Sequence, residues 1–431
     1  MAFRDIRKPY QLPTSTEIGF LFLVFILIAG LLRLDIFLAR TYQRGEWLYL
    51  RWSGVRAHIL NESEPYGSAV AQRVQAIVYG RDAYLNEYPY ELNDPFYIVL
   101  LYFPLSFFSD FRIVQGIWML FAQMAVVGVM VLALRLSEWD APSWLYVVII
   151  VFGVVNSFSV ESFLSGSPAI FLLFLYLSIL VALRSDANEL AGGLLLFATY
   201  QWEVGALICC FILIIVIADG RWRVISGFSM TGIVLLVISL LAKSNWLVLY
   251  WEAVRFDWLR GVDFTAAITF SYLFPQIPLS IAGWVPFVVG GLVIYECVRS
   301  LYSSARHMAW AAFLALAFNP ILGFPIFSTN HVMLLPALGL ILMLAWERWT
   351  KQRLLVILLL LIVFLAFPYL LQYQVAHAID RFYSDLARVV PPVLTVLGLY
   401  WMRWWVVRPP RIWADQFGLD RRSASRGILR N

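Results

Sequence analysis

Residues 353–371 read RLLVILLLLIVFLAFPYLL, nineteen positions with a single charge at the leading edge. An α-helix needs roughly 17–25 such residues to cross the hydrocarbon core of a bilayer, so this stretch reads as a transmembrane span. Working outward, comparable runs fall at 17–38, 113–134, 144–160, 168–183, 223–242, 281–298, 308–323, 331–346 and 389–406. Two regions are ambiguous. The run 96–108 holds 13 residues and contains Pro104, which is short for a crossing. The run 190–218 is interrupted by Gln201-Trp202-Glu203 and reads either as one tilted helix or as two short ones.

The composition agrees. Of 431 residues, 61% are hydrophobic and 14% charged, against roughly 45–50% and about 25% in a soluble domain. Mean hydropathy is +0.77. A soluble protein is excluded, and the fold class is an all-α polytopic membrane protein. The net charge of +5 fits Arg and Lys that set topology better than a nucleic-acid surface. Cys209, Cys210 and Cys297 lie inside apolar runs, without disulfide or metal-ligand spacing. The first apolar run, Ile18 to Leu32, lacks an A-x-A exit and exceeds a typical signal h-region, so it reads as a retained span.

Charge placement sets the expected topology. Arg4, Arg7 and Lys8 precede the first span, and residues 407–431 form a basic tail after the last. The positive-inside rule puts both ends in the cytoplasm, which requires an even number of crossings. Thirteen hydrophobic segments, with 190–218 counted as two, then become about twelve transmembrane helices once 96–108 is read as a re-entrant element. With that choice Arg184, Arg221, Arg223, Arg299, Arg306, Arg348, Lys351 and Arg353 all fall on the cytoplasmic side. The outer side receives a first loop at 40–95, a second large loop at 243–280, and shorter ones at 324–330 and 373–388. The expected setting is a bacterial plasma membrane, with the tail lying against anionic headgroups.

The first loop carries six Arg and seven Asp or Glu. Amphipathic helices are expected in it. One runs from Glu46 through Trp47–Leu60. Another is capped by Ser68, presents Val70, Val74, Ile77 and Val78 on one face, and stops at Gly80. A Trp- and Tyr-rich helix over 246–259 suits the headgroup level. No P-loop, G-x-S-x-G, H-E-x-x-H or metal-spaced Cys/His set occurs. With four histidines, a dedicated zinc site is not expected, a metal held by carboxylates stays open, and no cofactor is implied. Glu46, beside the membrane, and Asp94, just before the re-entrant candidate, are the carboxylates placed to act as a base. Sugar transfer from a lipid phosphate needs such a base for the acceptor hydroxyl, a cation or hydrogen-bonding partner for phosphate, and a groove for the lipid tail.

A resemblance adds to this. The run EWLYLRWSGVRAHIL at 46–60, followed by Pro65-Tyr66-Gly67, is similar to the opening signature of the polyprenol-phosphate-dependent GT-C mannosyltransferases of the alpha-1,2 type (glycosyltransferase family 87). The similarity continues through Asp94-Pro95-Phe96, Phe103-Pro104-Leu105, Ser165-Gly166-Ser167, Ala191-Gly192-Gly193, Gln201-Trp202-Glu203, and Asn330-His331 before Leu334-Leu335-Pro336. It covers about residues 40–345 in order. Three departures are visible. Glu46 stands where the family usually has Asp, Gly166-Ser167 where it has Gly-Gln, and Gln201-Trp202 where it has Lys-Pro, which removes a charge able to meet a phosphate.

The resemblance implies a single GT-C-like transmembrane domain over 1–406. Its expected activity is inverting transfer of a hexose, mannose in the family, from a polyprenyl-phosphate donor to an acceptor on the outer face. Glu46 would be the general base, with Asp94 able to supply the carboxylate in its place. Arg56, Tyr66, Gln201 and His331 would bind substrate. Plainer roles stand beside these: Glu46 pairing with Arg44 or Arg51, Arg56 snorkelling at the interface, and His331 capping the helix that starts at Val332. A non-catalytic membrane subunit, working with partner chains, is the alternative function. A transporter comes third, with Glu203 as its main mid-span ionisable residue.

Overall fold

The computed structural model describes residues 15–42, 44–60, 64–84, 87–139, 142–259, 271–272, 274–322, 327–377 and 381–407, and among these there is no strand. The basic residues Arg4, Arg7 and Lys8, residues 61–63 of the first loop, 260–270 of the second loop and tail residues 408–431 lie outside the described residues. The helices are α1 (Ser15–Tyr42), α2 (Glu46–Ile59), α3 (Ser68–Val78), α4 (Phe96–Leu101), α5 (Phe111–Leu136), α6 (Ser143–Val155), α7 (Ser157–Ser165), α8 (Ala169–Arg184) and α9 (Asn188–Ala198). They continue with α10 (Trp202–Ala218), α11 (Trp222–Ala242), α12 (Trp246–Leu259), α13 (Leu279–Ser300), α14 (Ala305–Phe318), α15 (Leu335–Arg348), α16 (Arg353–His377) and α17 (Arg381–Val407).

Among the described residues seven helices are long and apolar enough to cross a membrane, and eight if α6 and α7 are one broken span bent by 45°. The chain is a polytopic integral membrane protein. Its outward surface shows why: Leu241 is 83% exposed, with Met230, Phe25 and Phe287 also turned outward, a cost that only a lipid surround removes. Twelve crossings would also require α8, α9, α10 and α14. At about 1.5 Å per residue, the 11 residues of α9 rise only about 16 Å, half of a ~30 Å hydrocarbon core.

The run 96–108 forms α4, six residues long, and a five-residue 3-10 helix, Phe103–Phe107; neither is long enough to cross. The run 190–218 divides into α9 and α10 at Thr199–Gln201. The run 144–160 breaks where the Asn156 side chain accepts from the Phe158 N–H and starts α7. The helix α3 begins at Ser68 as anticipated, but Gly67 occupies the cap position and makes no side-chain bond. Val70 and Val74 are buried while Ile77 and Val78 face outward.

The main core gathers around α15, nearly all of which is buried, with α5, α14, α16 and α17 against it. A second, smaller core sits over one end of the bundle, where α2, α3 and α4 close on Val114 of α5 and on Trp246. That end is the loop-bearing end. Inside the bundle, polar groups find partners between helices. Gln123 Nε2 donates to Asp35 Oδ1 at 2.8 Å, and Arg403 donates to Glu296 at 2.8 Å. Glu203, expected mid-span, opens the first turn of α10 instead; Asp35, Glu296 and Asp385 are carboxylates buried within the long helices.

Candidate functional site

The helix α2 lies across the loop-bearing end and presents its polar residues at three stations. The first is its N-terminus. The Gly45 N–H donates to Glu46 Oε2 at 3.1 Å, which fixes the carboxylate at the helix start, where the dipole favours a negative charge. Arg44 reaches Glu46 Oε1 at 3.7 Å and holds Glu161 of α7 in a two-pronged bond of 2.8 and 2.6 Å. From α5, Arg112 donates to the Arg44 carbonyl at 3.4 Å, and Gln115 donates to the Leu164 carbonyl at 3.0 Å. Gly166 ends α7 with φ +71, and an added Cβ there would stand 2.5 Å from Leu48 Cβ. Only glycine lets the end of α7 press onto α2 so closely, and this contact helps bring Glu161 to Arg44.

Glu46 and Glu161 each keep about 15% of the side chain exposed, so the pair is sheltered but reachable. Burial pushes the Glu46 carboxyl up from its ordinary value, Arg44 pulls against it, and the nearby Glu161 charge adds to the rise. A carboxylate in this state suits a general base. Trp47 packs beside it against Tyr88, Tyr90 and Phe327 at 5.1–5.5 Å. Phe327 leads into the 3-10 helix Ser328–Leu334 that carries His331. The His331 ring is buried, its Nε2 lies 3.0 Å from the Arg388 carbonyl, and it meets Phe158 of α7 edge-on at 5.4 Å. His331 therefore sits inside the wall that α7 and α17 make, against Phe158, which precedes Glu161 by three residues on α7, and not at the start of a helix.

The second station is mid-helix. Arg51, 1% exposed, pairs with Asp94, also 1% exposed, through Nε–Oδ2 at 2.6 Å and Nη2–Oδ1 at 3.1 Å. A further Arg51 donor goes to the Trp47 carbonyl at 2.9 Å. Tyr66 donates to the Asp94 backbone oxygen at 2.9 Å, and burial raises its phenol out of any acid–base range. Both Asp94 carboxylate oxygens thus face one buried guanidinium, an arrangement that locks α2 to the α4 approach. Gln201 stands at the N-cap of α10, beside the buried Tyr200.

An apolar groove of about 310 Å³ opens next to this pair, between α4, α5, α8 and α9, lined by Leu101, Tyr102, Trp118, Phe171, Phe197 and Tyr200. It has the size and character to hold part of an alkyl or prenyl chain. At Arg56, the guanidinium donates to the Ser106 and Phe108 carbonyls at 3.1 and 3.2 Å and lies 5.0 Å over the Trp52 ring.

No family model, curated protein or solved structure matches the chain.

Of the sequence-derived residues, the structure brings Asp94 and Tyr66 into direct contact, with Gln201 beside the tyrosines that surround them. Glu46 occupies a separate station with Arg44. The sequence reading missed Glu161, Arg112 and Gln115. Their signal was a single acid, Glu161, inside the apolar run that ends at Gly166. Among the described residues no cluster of His, Cys, Asp and Glu is spaced to hold a metal ion.

Proposed function

We propose that this chain is an integral-membrane glycosyltransferase of GT-C architecture with both termini in the cytoplasm. It moves a hexose, mannose by family resemblance, from a polyprenyl-phosphate donor to an acceptor at the outer face. The observation that carries the reading is Glu46: a sheltered, reachable carboxylate with a raised proton affinity at the start of α2, on the helix whose middle station adjoins the apolar groove. In the reaction the acceptor oxygen attacks the anomeric carbon while Glu46 takes its proton. The bond from that carbon to the phosphate oxygen breaks, and polyprenyl phosphate leaves with the electron pair. Arg44 holds Glu46 and Glu161 in place, and the groove lined by Tyr102 and Phe171 takes the lipid tail.

One observation favours the second reading, a non-catalytic scaffold. Asp94, Arg56 and His331 are all bonded to other parts of the chain, as residues that stabilise a fold would be. Turnover of a panel of polyprenyl-phosphate sugars by purified protein in lipid separates the two. Glu46→Gln is expected to lower transfer by about 10²-fold or more with folding intact. If the wild type consumes no donor, the scaffold reading replaces the enzyme.

A further inference from the structure

The third station of α2 is its last turn. There His58, with Glu64, Lys243, Ser244 and Asn245, lines an open polar bowl of about 560 Å³. At ~1.5 Å per residue, the twelve residues from Glu46 to His58 place it about 18 Å from the first station. Its level relative to the membrane is fixed by its own walls. Lys243 directly follows α11, whose last turn exposes Leu241. Three residues later α12 begins, exposing Leu247, Val248 and Trp251. A lipid-facing helix ends and an aromatic-rich helix starts at the bowl, which is the headgroup level of a bilayer.

The charges are unevenly held. The Lys243 side chain is only 11% exposed and its Nζ lies 2.5 Å from Glu64 Oε2, while Glu64 stands on the open side, 53% exposed. The cation belongs to the wall and the anion to the mouth. Burial and the Lys243 charge lower the His58 proton affinity, so at neutral pH its ring is an uncharged hydrogen-bonding group. Ser244 and Asn245 add a hydroxyl and an amide. We propose that this bowl binds a phosphate group at the membrane boundary, with Lys243 as its charged contact, Ser244 and Asn245 as donors, and Glu64 as the internal anion that the phosphate displaces. Lys suits this role as a compact charge that meets phosphate oxygens without a fixed fork. The phosphate comes either from a lipid headgroup or from solution.

The test uses the full chain in a maltoside micelle, which contributes no phosphate, and native mass spectrometry to count bound phosphatidylglycerol. Wild type is expected to retain the lipid and Lys243→Gln to hold it at least about tenfold more weakly, the effect of losing one charge-assisted bond. Lys243→Arg should restore retention, which excludes a folding defect, and Glu64→Gln should tighten it. Inorganic phosphate that displaces the lipid assigns recognition to the bare phosphate. Retention that inorganic phosphate leaves unchanged assigns it to the lipid. Equal retention by wild type and Lys243→Gln, or weaker retention in Glu64→Gln, overturns the proposal. The readout is binding, so it is independent of whether the chain transfers sugar.

Discussion

Arg51 is the residue that most clearly separates structure from chemistry at this end of the bundle. Its guanidinium is fully enclosed, and among the described residues Asp94 is its only carboxylate contact. Removing one member of such a pair leaves an uncompensated buried charge, so Asp94→Asn is expected to cost about 3–5 kcal/mol. Chemical denaturation should show this, and replacing both partners together (Arg51→Met with Asp94→Leu) should recover much of the loss. Glu46 behaves in the opposite way. Its folded carboxyl binds a proton more tightly than an unfolded glutamate does. Its stabilising contribution is therefore fully present below the ordinary carboxylate value and lost as pH rises through its own raised value. Turnover follows the reverse sign, because a base must be ionised, and should climb with pH over that window. Glu46→Gln should lower turnover by the same ~10²-fold or more and flatten the corresponding part of the stability profile, read by thermal unfolding across pH. Glu46 was legible in the sequence because its setting is local: a charge opening a helix beside a span. Glu161 was not, because its partner Arg44 lies 117 positions away and only the packing of α7 on α2 joins them.

Helices were legible where the apolar period ran unbroken, as in α5, α11 and α16. They were misjudged where one polar residue redirected the chain. Asn156 interrupts a run that otherwise reads as one span; its side chain caps α7 and also donates to the Phe364 carbonyl at 3.2 Å. Asn156→Leu should lose the cap, worth about 1 kcal/mol, and free the α7 segment that carries Glu161. Glycine sets a second contact between helices. At Gly192 of α9 an added Cβ would lie 2.0 Å from the Val224 carbonyl oxygen of α11. That backbone has no flexible end to yield, which is how small residues let membrane helices approach. Gly192→Leu should part α9 from α11 and destabilise by at least about 2 kcal/mol, seen as a lower unfolding temperature in detergent. The pattern at 190–218 announced a break at Gln201 but not this crossing, since closeness between helices leaves no mark in either helix's own periodicity.

At the scale of the whole molecule, class and membrane residence followed from composition, whereas the number of crossings depends on short helices that composition leaves ambiguous. The loop-bearing end supplies a decisive pair of markers. Ser244 lies just beyond α11 and Ser303 just beyond α13, with α12 between them exposing Leu247, Val248 and Trp251 along its length. If α12 lies in the headgroup plane and α13 crosses once, the two serines are on opposite faces, with Ser303 beside Arg299 and Arg306 on the basic side. Ser244→Cys and Ser303→Cys, each made in a chain with Cys209, Cys210 and Cys297 replaced, should label from opposite sides of sealed vesicles with an impermeant maleimide. Labelling of both from one side would mean that the second loop contains a further crossing. That result would put α2 and Glu46 on the same face as α13's far end and, with them, the donor lipid in the other leaflet. The topology of α12 and α13 is thus coupled to the proposed chemistry, because a polyprenyl-phosphate donor presents its sugar from one leaflet at a time and Glu46 meets it only there.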